Sequence, residues 1–288
     1  MKPPKRLEPL LEDGLIDEVL RPLMNGKEAA VYVVRCGEEI RCAKVYKDAE
    51  KRSFKKAALY QEGRKVRNSR RARAMEKGSR FGRNQIEETW QNAEVDALYR
   101  LADAGVRVPE PYGCFDGVLL MELVTDDEGQ VAPRLNDVAM SAEQAREDHA
   151  IVMEYVKRML CAGLVHGDLS EFNVLVDDYG PVIIDLPQAV DAAANNNARA
   201  MLDRDIANMT QYYGQFAEDL LDTQYSAEMW NLFEAGELHP DTQLSGQVEA
   251  PSGDPDVESV IAEIQAILAE EQARRDRLKQ DQESESAV

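Results

Sequence analysis

Leu164-Val165-His166-Gly167-Asp168-Leu169-Ser170-Glu171-Phe172-Asn173, followed by Val182-Ile183-Ile184-Asp185, is the stretch of sequence that decides the fold. Its polar residues follow a strongly apolar lead-in, so a structured loop is expected there rather than a surface one. Val174-Leu175-Val176 and Val182-Ile183-Ile184 read as short strands on either side of the turn Asp177-Asp178-Tyr179-Gly180. The resulting hairpin presents a carboxylate, Asp185, at its exit, twelve residues after Asn173. Asn173 and Asp185 offer hard oxygen ligands that suit magnesium beside a triphosphate. Asp168 stands where a carboxylate can orient or deprotonate an attacking hydroxyl. Each of these residues alone is an ordinary turn or cap residue; their order and spacing carry the reading.

Upstream, Ser141 with Gln144 three residues on forms a capping box. It opens a long helix with the apolar stripe Ala145, Val152, Tyr155, Val156, Met159 and Leu160, and Gly163 sits where a left-handed C-terminal cap belongs. The first third of the chain reads as strands over Ala29 to Cys36 and Ile40 to Tyr46 around the loop Gly37-Glu38-Glu39, with a further strand from Val118 to Val124 after the Asp116-Gly117 turn. Residues 85–104 read as a helix ending before Gly105. Asn25-Gly26-Lys27-Glu28-Ala29-Ala30-Val31-Tyr32 is a turn running into a strand, where backbone N–H groups and a lysine can cover phosphates. Lys44 interrupts an apolar strand. Glu94 lies four residues after Trp90, four before Leu98 and seven before Leu101, so it shares their core-facing stripe. A carboxylate there needs a cation, since an unpaired buried charge costs several kcal/mol, and Lys44 is the economical partner. Protein kinases use such a strand-lysine and helix-glutamate pair to orient the α- and β-phosphates of ATP.

The motifs at 25–32, at 164–173 and at 183–190, the last reading Ile-Ile-Asp-Leu-Pro-Gln-Ala-Val, resemble those of the RIO family of atypical serine/threonine protein kinases, over roughly residues 12–235. The chain is similar to the branch without an N-terminal winged helix. The resemblance implies an α+β, bilobal protein-kinase-like fold with a β-rich N-lobe and a helical C-lobe, without the activation segment and substrate-docking subdomains of ordinary kinases. It implies ATP with Mg2+, or Mn2+ in its place, as cofactors. Lys44, Glu94 and Asp168 are the implied catalytic residues, and Asn173 and Asp185 the implied metal ligands. Nucleotide contacts are implied for Asn25, Gly26, Lys27, Glu28, Ala29, Val31, Lys44, Ser170, Glu171 and Asn173, with Met121-Glu122-Leu123 as the hinge whose Glu122 and Leu123 backbone groups meet adenine. The chain itself is the implied phosphoacceptor, through Ser53, Ser69 or Ser79 or through an aspartyl-phosphate at Asp185, with phosphoserine the expected accumulated product. Gly167 stands where many kinases have arginine, so no activation-loop phosphate is expected to be read there. His-Gly-Asp-Leu followed by Asn-Val-Leu-Val also resembles aminoglycoside phosphotransferases; Ser170-Glu171-Phe172 and Asp185-Leu186-Pro187-Gln188 favour the RIO reading. A third reading is an RNA- or ribosome-associated binding switch.

That third reading comes from charge. The 288 residues carry 34 Lys and Arg against 54 Asp and Glu, a net charge of −20. Yet residues 51–83 hold thirteen Lys and Arg against two Glu. Such a block reads as a long basic loop and suits an anionic partner, an RNA or a ribosomal particle. The remaining boundaries are a helical extension over 1–24 with a helix at 7–20, an N-lobe over 25–124, a C-lobe over 125–235, a linker over 236–254 and a C-terminal helix and tail over 255–288. The stripe in that last helix must be buried, either on the body or in a partner contact, and a monomer or weak dimer is expected. Apolar runs such as 118–121 fall far short of the roughly 20 residues that span a bilayer, and acid and proline interrupt any signal peptide, so a cytoplasmic protein without membrane contact is expected. The four cysteines form no CxxC pair and the three histidines lie far apart, which argues against a disulfide framework or a local zinc site.

Overall fold

Five antiparallel strands, Glu18–Asn25 (β1), Ala29–Cys36 (β2), Glu39–Tyr46 (β3), Pro111–Phe115 (β4) and Val118–Glu122 (β5), build the smaller lobe of the computed structural model, which describes residues 3–26, 29–47 and 93–248. Their order in the sheet is β1-β2-β3-β5-β4. Alternation along β3 gives the sheet two different faces. Ala43 and Val45 pack outward with Val34, Val118 and Leu120 under a short helix, Glu8–Glu12 (α1), whose Leu10 and preceding Leu7 are fully buried. Cys42, Lys44 and Tyr46 face the other way, into a cleft. Cross-strand pairing sets Val31 opposite Lys44 and Ala29 opposite Tyr46. A helix over 93–103 (α2) lies against this inner face through Ala97, Leu98 and Leu101.

The larger lobe is helical. Ala142–Cys161 (α3) starts at Ser141, whose hydroxyl accepts the Gln144 amide at 3.1 Å, and ends before Gly163, which adopts φ 73°. Leu164–Val165 (β6) pairs with Val190–Asp191 (β9), and Val174–Asp177 (β7) with Gly180–Ile183 (β8). Ala198–Gly214 (α4) and Tyr225–Ala235 (α5) complete the lobe. Val152, Met159, Leu160, Leu169, Ile183, Met209 and Tyr213 form one core with Leu98 and Leu101 of α2, so both lobes share it. Twelve residues, 186–197, separate Asp185 from α4, and they hold only the short β9.

Four expectations change. The helix expected over 7–20 stops at Glu12, and Glu18–Asn25 is the edge strand β1, so the smaller lobe begins before residue 25. Register shifts between Val19 and Arg21 and between Pro22 and Met24 break the alternation that would have marked a strand, and Pro22 is tolerated because the strand is an edge. The strand expected over 118–124 ends at Glu122, and the hairpin loop at 37–39 tightens to residues 37 and 38. The linker expected from 236 is, up to residue 247, a packed strap. Leu238 is buried, Lys157 donates to the Thr242 carbonyl at 2.8 Å, and Gln224 donates its amide to Gly246 at 2.7 Å. Residues 85–92, the 51–83 segment with Ser53, Ser69 and Ser79, and the 255–288 helix and tail lie outside the described residues. Among the described residues no helix is long and apolar enough to cross a membrane.

The strap depends on Glu228, whose carboxylate accepts from the Ser245 amide at 2.8 Å, the Ser245 hydroxyl at 2.9 Å and the Gly246 amide at 2.8 Å. Glu228→Ala is expected to destabilise the protein by about 1–2 kcal/mol, because partly exposed bonds to a charged acceptor contribute modestly. A lower urea midpoint with unchanged slope is the result to look for.

Candidate active site

A cleft of about 710 Å³ separates the lobes. From above it is walled by Ala29, Val31, Lys44 and Met121, and from below by Leu175, Ile184 and Asp185. Lys44 projects from β3 into its inner end. Its Nζ lies 2.5 Å from Glu94 Oε1 and 2.8 Å from Asp185 Oδ1, so one ammonium joins β3, α2 and the exit of the β7–β8 hairpin. Burial by itself would lower the lysine pKa; the Glu94 and Asp185 carboxylates outweigh it, and the net shift is upward. Lys44 is therefore a fixed cation. The Lys44 charge holds Asp185 below the usual carboxylate range, against the opposing effect of burial. Asp185 keeps 46% of its side chain exposed, facing the cleft, whereas Glu94 keeps 3%. The second oxygen of Glu94 accepts from the Tyr46 hydroxyl at 2.5 Å.

Asp185 has φ 66°, a left-handed conformation that costs a non-glycine residue about 1 kcal/mol. Both backbone groups of the preceding residue are tied down. The Ile184 amide donates to the Asn173 carbonyl at 3.0 Å, and the Ile184 carbonyl lies 3.1 Å from His166 Nε2. The Asp168 amide donates to His166 Nδ1 at 3.3 Å, which makes Nε2 the protonated nitrogen that donates to Ile184. His166 thus couples the loop to the strand that ends at Asp185. Asn173 donates through Nδ2 to the Asp168 carbonyl at 2.9 Å, which leaves its Oδ1 for the cleft. Asp168 itself is exposed.

The loop is held from beneath by α4. Buried Asp205 accepts the Gly167 amide at 2.7 Å and the Leu169 amide at 3.0 Å; Asn208 donates to the Leu169 carbonyl at 2.9 Å, and Arg204 to the Gly167 carbonyl. Burial pushes Asp205 up to about 6 in spite of those two donors. Sequence reasoning missed this residue. The signal was available, because Asp205 sits among Met201, Leu202, Ile206 and Met209 on a buried stripe, as Glu94 does among Leu98 and Leu101.

Asn25 and Gly26 lie at the end of β1, where Lys47 donates to Asn25 Oδ1 at 2.7 Å and to the Gly26 carbonyl; Lys27 and Glu28 are outside the described residues. Met121, Glu122 and Leu123 line the cleft. The Glu122 amide donates to the Glu110 carbonyl at 2.8 Å. Ser170 and Glu171 are not among the residues that line the cleft; their carbonyls accept from Asn173 at 2.9 Å and from Asn136 at 3.3 Å. Among the described residues no cluster of three or more His, Cys, Asp or Glu could hold a metal by itself. Asn173 and Asp185 fit magnesium, which keeps much of its shell as water and phosphate oxygens.

The RIO domain family matches residues 30–226. The RIO-type serine/threonine-protein kinase Rio1 of Haloferax volcanii is 36% identical over 218 residues, 73% of this chain and 68% of that protein. The serine/threonine-protein kinase RIO1 of Homo sapiens is 34% identical over 206 residues, which are 71% of this chain but 34% of the human protein. The match therefore spans about a third of the human relative. A crystal structure of the Rio2 kinase from Chaetomium thermophilum, an ADP/Mg2+-phosphoaspartate complex, superposes with a TM-score of 0.52 at 21% identity, over 73% of this chain and 59% of that one.

Asp205 generates a test by pH. Its folded value of about 6 lies above the ordinary carboxyl value, so the folded state holds its proton more tightly than the unfolded state does. This group's contribution to stability therefore falls as the pH rises from about 4 through 6. In Asp205→Asn that component is absent. Urea titrations of both proteins across this range are expected to show a difference in stability that changes with pH, and a constant difference would contradict it.

Proposed function

The chain belongs to the family of RIO-type serine/threonine-protein kinases, and from that premise we propose that it binds ATP in the cleft and transfers the γ-phosphoryl group with magnesium, or with manganese in its place. The observation that carries this reading is the Lys44 ammonium held between Glu94 and Asp185 with Asn173 on the same cleft. Lys44 orients the α- and β-phosphates, and Glu94 keeps Lys44 in position. Adenine sits against Met121, with the Glu122 carbonyl and the Leu123 backbone facing it. Asn25, Gly26, Lys27, Glu28, Ala29 and Val31 cover the nucleotide. Magnesium, when bound through Asn173 and Asp185, neutralises charge on the phosphates. Asp168 orients the attacking hydroxyl, which bonds to the γ-phosphorus as the bond to the bridging oxygen breaks and ADP leaves; the hydroxyl proton passes to Asp168.

A self-directed acceptor suits a site with only twelve residues between Asp185 and α4, too few for a segment that docks peptides. The candidates are Ser53, Ser69 and Ser79, or Asp185 itself, whose depressed pKa keeps it a carboxylate. The Rio2 kinase of Chaetomium thermophilum carries a phosphoaspartate in its complex with ADP and Mg2+. An RNA or ribosomal partner for residues 51–83 rests on the charge of that segment. The division into lobes near residue 124, with the larger lobe to 235, belongs to the same reading.

Lys44→Ala and Asp185→Asn are each expected to lower ATP turnover at least about a hundredfold, because they remove charge stabilisation and not core volume. Wild-type turnover in a folded variant would remove that residue from the proposal. Labelling with radioactive ATP followed by hydroxylamine separates the acceptors. Label that survives is expected, as phosphoserine, because an acyl phosphate hydrolyses before it builds up; complete loss would identify the product as an acyl phosphate, for which Asp185 is the candidate.

A further inference from the structure

Glu94 has two carboxylate oxygens, and Lys44 uses only Oε1. The Tyr46 hydroxyl donates to the other at 2.5 Å. Tyr46 stands two residues beyond Lys44 on β3, so both side chains leave the same face of the sheet, and it is 4% exposed beside a Glu94 that is 2% exposed. We infer that Tyr46 is a positioning residue for phosphoryl transfer, whose hydroxyl holds Glu94, and α2 with it, where the carboxylate can keep Lys44 from closing fully onto Asp185. The inference rests on the proposed ATP site.

The competition for Lys44 gives the hydroxyl its importance. The ammonium is shared between carboxylates at 2.5 and 2.8 Å. If Glu94 turned away, Lys44 would belong to Asp185 alone and neutralise the group proposed to face the metal. A tyrosine hydroxyl prevents that turn by fixing the distal oxygen, and it does so without adding a second charge to a buried pair. Burial and then the Glu94 charge raise the Tyr46 hydroxyl well above its ordinary pKa, so it remains a donor throughout the physiological range. The Lys44 ammonium also lies 5.7 Å from the centre of the Tyr46 ring, a contact that phenylalanine would keep. Tyr46→Phe therefore removes the hydrogen bond while retaining the ring and its packing.

In Tyr46→Phe, kcat is expected to fall about tenfold, and the magnesium concentration for half-maximal turnover to rise several-fold, because a misplaced Glu94 lets Lys44 compete with the metal for Asp185. A simple loss of stability would not move the magnesium dependence below the melting range. The same substitution in a Glu94→Gln background should cost less than about twofold more, since the two residues act as one unit. Without nucleotide or metal, amides of residues 93–103 should exchange faster with deuterium in Tyr46→Phe than in wild type. Wild-type kcat and magnesium dependence in Tyr46→Phe, full additivity with Glu94→Gln, or unchanged exchange over 93–103 would each overturn the inference. If Lys44→Ala kept its turnover, the ATP reading would fail instead, while the exchange measurement would still decide whether Tyr46 holds α2.

Discussion

A buried ammonium must have its charge answered where it stands, and in this protein that requirement ties three distant pieces of chain together. Lys44 is 11% exposed at its side chain, and its partners Glu94 and Asp185 lie 50 and 141 residues further along the chain. Removing one partner of such a group typically costs about 3–5 kcal/mol, since the remaining charge is left uncompensated. β3, α2 and the β7–β8 hairpin therefore have to converge for the lysine to be buried at all. The two lobes meet at a charge, and the shared apolar core of Leu98, Leu101, Leu169 and Ile183 closes around that meeting point.

The hairpin end of this arrangement is strained and has to be held. Asp185 in its left-handed conformation presents its carboxylate to the cleft, and the strain persists because the Ile184 amide and carbonyl are both occupied, by Asn173 and His166. His166 is in turn oriented by the Asp168 amide. The order of these residues in the sequence is thus also an order of support: the loop that carries Asp168 fixes the strand end that carries Asp185.

How much of this was legible follows from how local each signal is. The stretch from 164 to 185 could be read because its loop, hairpin and carboxylates are contiguous and their spacing is short. Glu94 could be read because a charge on an apolar helical stripe is conspicuous, and Lys44 because it interrupts a strand. β1 could not, since its two register shifts and Pro22 leave a burial pattern with neither a strand period nor a helical one. The strap at 236–247 was hidden for a different reason. Its Gly, Ser and Pro content is that of a linker, and its order comes from partners far away in sequence, Lys157 and Glu228. Tyr46 reads as an ordinary strand residue; its role depends on which oxygen of Glu94 is left over, and that is a matter of geometry.

The way the loop is anchored also bears on control. Gly167, at φ 82°, has its amide taken by Asp205 and its carbonyl by Arg204, so α4 sets the conformation of the loop through side chains that are part of the fold. No phosphate has to arrive for that anchoring to exist, and the short connection between Asp185 and α4 offers little chain to carry one. These bonds between α4 and the loop are ones that no step of the proposed reaction breaks. Across the cleft, Lys44 is shared between Glu94, which α2 brings, and Asp185, so a shift of α2 alters how that one charge is divided. Control of such a site is placed most simply at the position of α2 or at entry to the cleft, because the loop beneath is tied to α4 at Gly167 and Leu169 by side chains of the fold itself.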